Sequence, residues 1–398
     1  MNSTNQSKKI AALIFGDLSD RKGYLNAALS RIAHLKEVSS SRIEVFCFSR
    51  YDTLLARLLK RSSRKDKISN VTIDGLEINV LWYPFYMTDY LLYDVLKRRP
   101  VFREKVLSRY LDLFKNYDLI SAQSYLPALM ADKIHRRYRI PYCVTWHGSD
   151  IHTHPFSNKT CMKDVRAIMG EAGCNFFVSE NLREVSDRIL RCDNKAVLYN
   201  GVDNSVFRQY DPERKACLKN QFGADGKKVV CFAGDVRRIK NAPIFPELFD
   251  SITKKYSGAL QFWVIGDGKC RKDIERRILA NKALECRFWG NQPPERMPLF
   301  FNCVDVLILP SLKEGLGMVA IEAISCGANV VGSRVGGIPE VVGKEYTSEL
   351  GAGFVEDFAR KVALCLSDSP DQRLIHSFDW NDTAVRENEV CERILGTR

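Results

Sequence analysis

The chain has 398 residues, 45% hydrophobic and 27% charged, with 60 Lys and Arg against 48 Asp and Glu for a net charge of +12. That is the composition of an ordinary globular protein, long enough for two or three domains at about 150 residues each. Lys, Arg, Asp or Glu interrupts every apolar run before the roughly 18 to 20 residues that a spanning helix needs, which excludes an integral membrane role.

The opening MNSTNQSKK is polar and runs directly into IAALIFG without the small-residue cleavage pattern of a secretory leader, so a cytosolic chain is expected. Thirteen cysteines lie scattered from Cys47 to Cys391 with no C-x-x-C pair, and reduced, mostly packing thiols are expected. The basicity is uneven, with 32 Lys and Arg against 22 Asp and Glu up to residue 205, and 28 against 26 beyond it. The first half therefore carries the positive field, which attracts phosphorylated substrates, anionic lipid or nucleic acid.

Short apolar, β-branched runs alternate with helix-period segments, which predicts an α/β fold with parallel sheets. In the first half the strand candidates are KIAALIFG, RIEVFCFS, EINVLWY, DLISAQS, YCVTWHG, NFFVSE and AVLYNGV. Between the first two, Leu25, Ala28, Leu29, Ile32 and Leu35 recur at helical spacing and predict one helix face on a sheet. Residues 51–67 mix Leu54, Leu55, Leu58 and Leu59 with six Lys and Arg, and residues 90–106 repeat the mixture. Two readings stand for these stretches, a basic amphipathic helix on a membrane surface or a core-facing helix with a solvated basic side. RQYDPERK reads as a connection, after which KVVCFAG, LQFWVIGDG, ECRFWGN, VDVLILPS and ANVVGS open a second α/β series. Its helices include IFPELFDSITKKY and CRKDIERRILA.

Ligands of open α/β sheets bind beyond the carboxyl ends of the strands, so motifs there come first. In PSLKEGLGMVAIEAISCGANVVGSRVGGIPEVV, a strand ends in a turn holding Glu314, Gly315 and Gly317, and a helix is predicted from near Gly317 to about Cys326. Backbone N–H groups at such a helix start suit a phosphate. Glu314 in the turn could reach a polyol, and Glu322, eight positions on, could accept two hydrogen bonds from a vicinal diol such as ribose. A capping acid followed by a solvated helix acid is the alternative. HGSDIHTH offers His147, Asp150, His152 and His154 as conceivable zinc ligands, but the string lies in a strand-end loop and lacks the H-E-x-x-H spacing. GDG at 266–268 lacks the third glycine of a dinucleotide fingerprint and reads as a turn after a strand.

The stretch EGLGMVAIEA, with GGIPE after it, resembles the E-x7-E signature of family 4 retaining glycosyltransferases of the GT-B fold. VTWHGSD, VSENLREV, LYNGVDNSVF, WVIGDG and FWGNQPPERMPLFFNCVDVLILPS follow the order of that family, so the resemblance covers nearly the whole chain. It implies two Rossmann-like domains facing a cleft. Residues 1–205 would bind the acceptor, completed by a crossover helix in 379–398, and residues 206–378 would bind a nucleotide diphosphate sugar.

By that resemblance Glu314 contacts the donor sugar's hydroxyls and Glu322 the ribose, while backbone amides from Gly315 and Leu316 through Gly317, Met318 and Val319 hold the diphosphate. In FAGDVRRIKN, Gly234 and Lys240 match the family, but Asp235 stands at the usual arginine place, so Arg237 or Arg238 would supply that cation. His147 would touch the transferring sugar, and Gly23 resembles the glycine-rich loop after the first strand. Gln123 stands where many members have histidine. With fixed cations at the diphosphate and no acidic D-x-D cluster, no metal cofactor is expected, and without basic residues interleaved with stacking aromatics along one face no nucleic acid partner is expected. The resemblance implies retention by front-face displacement and a UDP- or GDP-sugar donor. It also implies a lipid-linked or oligosaccharide acceptor at the inner membrane face, in bacterial surface polysaccharide assembly. Two other functions remain open: a non-hydrolysing sugar-nucleotide epimerase, and a noncatalytic basic protein that binds membranes or nucleic acid.

Overall fold

The computed structural model describes residues 7–19, 23–52, 68–85, 87–96, 105 and 107–396. Its contacts divide the chain into two units, Met1–Gly201 with Trp380–Arg398, and Val202–Asp379. The first boundary falls four residues earlier than the sequence suggests. Val202 bridges to Asp379, and its N–H donates to the Phe378 carbonyl at 2.9 Å, which ties both ends of the second unit together.

The first unit is built on one sheet of eight strands: β1 (Lys9–Phe15), β2 (Arg42–Asp52), β3 (Ile68–Ile73), β4 (Leu76–Phe85), β5 (Leu119–Gln123), β6 (Tyr142–Trp146), β7 (Cys174–Phe177) and β8 (Lys195–Val197). Their order is β3-β4-β2-β1-β5-β6-β7-β8, parallel except for β3. β1 and β5 to β7 are almost wholly buried, because helices cover both faces of a parallel sheet. Helix α1 (Tyr24–Val38) lays Leu25, Ala28, Leu29, Ile32 and Leu35 on it, as their spacing predicts. Helices α2 (Tyr125–Tyr138) and α3 (Lys159–Glu171) follow, and the C-terminal helix Trp380–Gly396 packs beside α1, adding Cys391 and Leu395 to the same core.

The strand candidates in this half all form strands, but β3 has no counterpart among them. It is an exposed edge strand, antiparallel to β4 through a turn at Asp74 and Gly75, both at positive φ. The Asp-Gly dipeptide is a standard two-residue hairpin signal. The amphipathic stretch at 51–67 falls, from residue 53 on, outside the described residues, as does most of 90–106 beyond Leu96.

The second unit has a parallel sheet of β9 (Lys228–Ala233), β10 (Leu260–Ile265), β11 (Cys286–Gly290), β12 (Val306–Leu309), β13 (Asn329–Ser333) and β14 (Thr347–Ser348), in the order β11-β10-β9-β12-β13-β14. Its longer helices are α4 (Pro212–Gln221), α5 (Phe245–Lys255), α6 (Arg271–Leu279), α7 (Met318–Ser325) and α8 (Phe354–Asp368). Phe249 stacks on Phe262 at 4.3 Å in a core shared by α5, α8 and the sheet. The expected connection RQYDPERK is a correction: it enters α4, where Asp211 accepts from the Arg214 N–H at 2.8 Å and Pro212 takes the first helical position.

Candidate active site

In the second unit the winding reverses between β9 and β12, so the loops leaving these strands flank a crevice at the carboxyl edge of the sheet. Lys240 from the β9 loop and Glu314 from the β12 loop meet there as an ion pair, both half-buried. Ser311 Oγ donates to the same carboxylate at 3.4 Å, and the Gly315 N–H to its other oxygen at 3.3 Å. The Leu312 N–H donates to the Ile239 carbonyl at 2.9 Å and ties the two loops together.

Glycine holds these loops against their neighbours. A Cβ at Gly336, which has φ +55°, would run into the Glu314 carbonyl, and the Gly337 N–H donates to the Gly315 carbonyl at 3.0 Å. The β13 loop therefore backs the Glu314 turn. On the other side, a Cβ at Gly266 would run into the Gly234 carbonyl, and one at Gly268 would lie 2.5 Å from the Val236 carbonyl. The GDG segment is thus a buttress for the β9 loop.

Gly317, at φ +91°, opens α7 with no side-chain cap; the Ala320 N–H donates to the Gly317 carbonyl at 2.8 Å, and the Met318 and Val319 N–H groups before it have no intrahelical acceptor. On this helix Ala320, Ile321, Ala323 and Ile324 are buried, while Met318, Val319, Glu322 and Ser325 form one half-buried stripe. Leu316, just before the helix, is buried. Burial, offset by no neighbouring charge, pushes the Glu322 carboxyl up to about 8.

Arg237 pairs with Asp235. Both Arg237 and Arg238 line a cleft with Lys269 and Arg277 whose walls include neither Lys240 nor Glu314.

The first unit has its own reversal, between β1 and β5. Gln123 ends β5, His147 follows β6 and Tyr24 begins α1. His147 Nε2 lies 3.0 Å from Gln123 Oε1, and the Tyr24 ring meets the imidazole edge-on at 5.0 Å. Asp150, inside the short helix that Gly148 opens, reaches back to accept from the N–H groups of His147 at 3.2 Å and Gly148 at 2.8 Å, as the returning acid of a capping box does. Burial, and then the Arg31 charge, lower the His147 pKa to about 3, so the ring is neutral. Gly23, at φ +32°, precedes Tyr24, and a Cβ there would meet nothing within 4 Å. His152 turns to Thr153 Oγ1 at 2.7 Å, and among the described residues no three His, Cys, Asp or Glu side chains gather as a metal site. Gln123 and Asp150 are the residues whose part the sequence did not reveal. The signal for Asp150 was its place three positions after His147, where a short helix begins.

Two family models match the chain in succession, Glycosyltransferase Family 4 over residues 42–206 and Glycosyl transferases group 1 over residues 215–377. The putative teichuronic acid biosynthesis glycosyltransferase of Bacillus subtilis is 26% identical over 231 residues, 57% of this chain and 56% of that protein. The sulfoquinovosyl transferase of Arabidopsis thaliana is 26% identical over 216 residues, 50% of this chain and 41% of that protein. The match thus spans about half the length of these curated relatives. Among solved structures, Anabaena HepE in complex with UDP and glucose superposes with a TM-score of 0.72 at 18% identity, over 96% of this chain and 99% of that one, a likeness of fold.

Proposed function

Because this chain belongs to the GT-B glycosyltransferases of family 4, we propose that it moves a hexose or N-acetylhexosamine from a UDP- or GDP-sugar to a lipid-linked or glycan acceptor, with retention at the anomeric carbon. The observation that carries this reading is the meeting of Lys240 and Glu314 at the β9–β12 reversal. As the anomeric bond to the diphosphate breaks, negative charge develops on the leaving oxygen. The Lys240 ammonium and the N–H groups from Leu316 to Val319 are the fixed positive groups that lower that barrier. Glu314 holds the sugar's hydroxyls and Glu322 the ribose. Asp235 neutralises Arg237, which leaves Arg238 as the second cation of the β9 loop.

The acceptor oxygen bonds to the face that the diphosphate leaves, and its proton passes to the departing phosphate oxygen. His147 serves the transferring sugar, and Gly23 permits a close backbone approach. With Lys240 and the helix start supplying the charge, no divalent metal is required. UDP as the donor's nucleotide is favoured by HepE, which binds UDP and glucose, and a surface polysaccharide by the teichuronic acid relative. An anionic membrane surface suits the excess of ten positive charges up to residue 205. It also suits Leu91, Val95 and Leu96, each at least 50% exposed just before Lys97, Arg98 and Arg99.

The test is melting with UDP, GDP and ADP and their sugars, followed by transfer to a lipid-linked acceptor with EDTA present, with and without anionic vesicles at low salt. Selective stabilisation by one nucleotide and transfer in EDTA are expected. Conversion of the donor alone would replace this reading with the epimerase, and loss of transfer in EDTA would remove the metal-free mechanism. Vesicles that fail to bind the protein would remove the membrane surface.

Glu322 adds a pH dependence whose sign is fixed. A diol donates hydrogen bonds, so it selects the ionised carboxylate, which below about pH 8 must first lose a proton. Nucleotide affinity therefore rises from pH 6 to 8 and then levels. For folding the sign is opposite: a carboxyl raised from its ordinary 4.5 contributes fully below that value and loses its contribution as pH rises through about 8. Glu322→Gln is expected to weaken nucleotide binding about tenfold and flatten its pH profile. The same change should stabilise the ligand-free protein at pH 8 by on the order of 1–3 kcal/mol. Calorimetric titration and melting at pH 6 and 8 check both, and a variant that melts lower at pH 8 contradicts the assignment.

A further inference from the structure

A neutral imidazole has one N–H and one lone pair, and the partner of one nitrogen decides which is which. His147 is kept neutral by its burial and by the Arg31 guanidinium. Among the described residues, the other charged or titratable groups that meet it are Asp150, whose two oxygens accept from backbone N–H groups, and Tyr24, whose hydroxyl donates to the Gln123 backbone carbonyl at 2.9 Å. The side-chain partner of the ring is Gln123 Oε1, an atom that only accepts. Gln123 is fully buried, paired in register with Thr145 on β6, and fixed by the same Tyr24 whose ring packs against the imidazole.

This arrangement works against stability. The Nε2 amide of Gln123 is buried without a hydrogen-bond partner among the described residues, and a buried unmet donor costs about 1–3 kcal/mol. An apolar side chain would remove that cost but leave the ring nitrogen unmet in its turn, so the fold gains little stability from glutamine. A carboxylate would also accept from the ring, but it would draw a second proton onto it. A neutral carbonyl oxygen fixes one proton and invites no other.

Resting on the glycosyl-transfer reading above, we propose that Gln123 is a positioning residue that keeps the proton of His147 on Nε2, so that Nδ1 offers its lone pair to a hydroxyl of the transferring sugar. Specificity follows from the same atom. A lone pair accepts from a hydroxyl and repels a carboxylate, so the sugar bears a hydroxyl, not a carboxylate, where it reaches His147.

The test uses full-length protein with 15N-labelled histidine, the His147 signal being the one lost in His147→Asn. Wild type is expected to show Nε2 protonated and Nδ1 bare throughout pH 6–8. Gln123→Leu, which removes one unmet group and creates another, should melt close to wild type, populate both tautomers, and lower kcat about ten- to a hundredfold with little change in donor KM. Gln123→Glu should bring the His147 titration into the measured range and give turnover a new pH dependence. A wild-type proton on Nδ1, or a Leu variant with an unchanged tautomer, overturns the proposal without reference to turnover. A UDP-hexuronate used as well as its hexose overturns the specificity. Should the tautomer respond as stated while no sugar nucleotide is consumed, it is the transfer reading that fails, and control of the tautomer stands.

Discussion

Lys240→Ala is expected to lower kcat by about 10²–10³, the effect of removing one preorganised donor from developing negative charge. In the ligand-free protein the Lys240 ammonium rests on Glu314, so it is already held at the β9–β12 reversal before any donor arrives. The diphosphate needs only to exchange one anion for another at that nitrogen. Its charge matters most when the leaving oxygen becomes fully anionic, so kcat should fall further than donor binding weakens. Lys240→Arg should recover part of the rate, since the charge returns but the planar guanidinium fits a site made for a point charge less well. Glu314 keeps its contacts with Ser311 and Gly315 in either variant, which leaves the turn in place. Steady-state transfer rates beside nucleotide titrations measure the split. An alanine variant with unchanged kcat would place the leaving-group cation elsewhere, on Arg238 first.

Much of the architecture was legible because burial writes itself into a parallel sheet. Runs such as KVVCFAG and VDVLILP carry apolar side chains on both faces, and the spacing of Leu25, Ala28, Leu29, Ile32 and Leu35 has one helical solution. The segments that escaped notice are those whose structure is set by backbone chemistry. β3 is exposed and polar, held by its hairpin turn, and α4 starts from the Asp211 cap and Pro212 with little apolar periodicity. Both are short-range signals of two or three residues, easily outweighed by a polar neighbourhood.

The site was legible where it depends on local sequence and obscure where it depends on distant pairing. Glu314, Gly317 and Glu322 sit on one turn and one helix, so their spacing already places them. Lys240 lies 74 positions before Glu314, and only the sheet order brings the two together. The same holds for Gln123 and His147, 24 positions apart at the ends of adjacent strands. The family's histidine at Gln123 drew attention to what is missing there, whereas the structure shows an amide bonded to the neighbouring ring. Arg237 and Arg238 show the opposite fault, since a count of nearby cations could not reveal that Asp235 occupies one of them.

Glu387→Ala is expected to destabilise the first unit by about 3–5 kcal/mol, the cost of leaving a buried charge without its partner. Glu387 on the C-terminal helix is 0% exposed and meets Arg31 of α1, 1% exposed, at 2.5 Å. Arg31 Nη1 also reaches the Leu198 carbonyl at 3.3 Å, and the guanidinium lies 5.7 Å from the Phe176 ring centre. One nitrogen of Arg31 and one oxygen of Glu387 have no partner among the described residues, so the pair is incompletely satisfied. Removing both charges together, in Arg31→Met with Glu387→Leu, should therefore be near neutral or stabilising. At roughly 2–4 °C per kcal/mol for a domain of this size, the single variant should melt about 6–20 °C lower. Arg31 lies on the buried face that the apolar stripe of α1 predicts, and a charge there is affordable only with a counterion at a fixed height on the C-terminal helix. The pair thus sets the register in which that helix docks on α1, whose first residue, Tyr24, orients His147. Urea unfolding of the single and double variants separates the two contributions. Equal losses in both would mean that the charges stabilise the unit outright and do not serve chiefly to select one docking register.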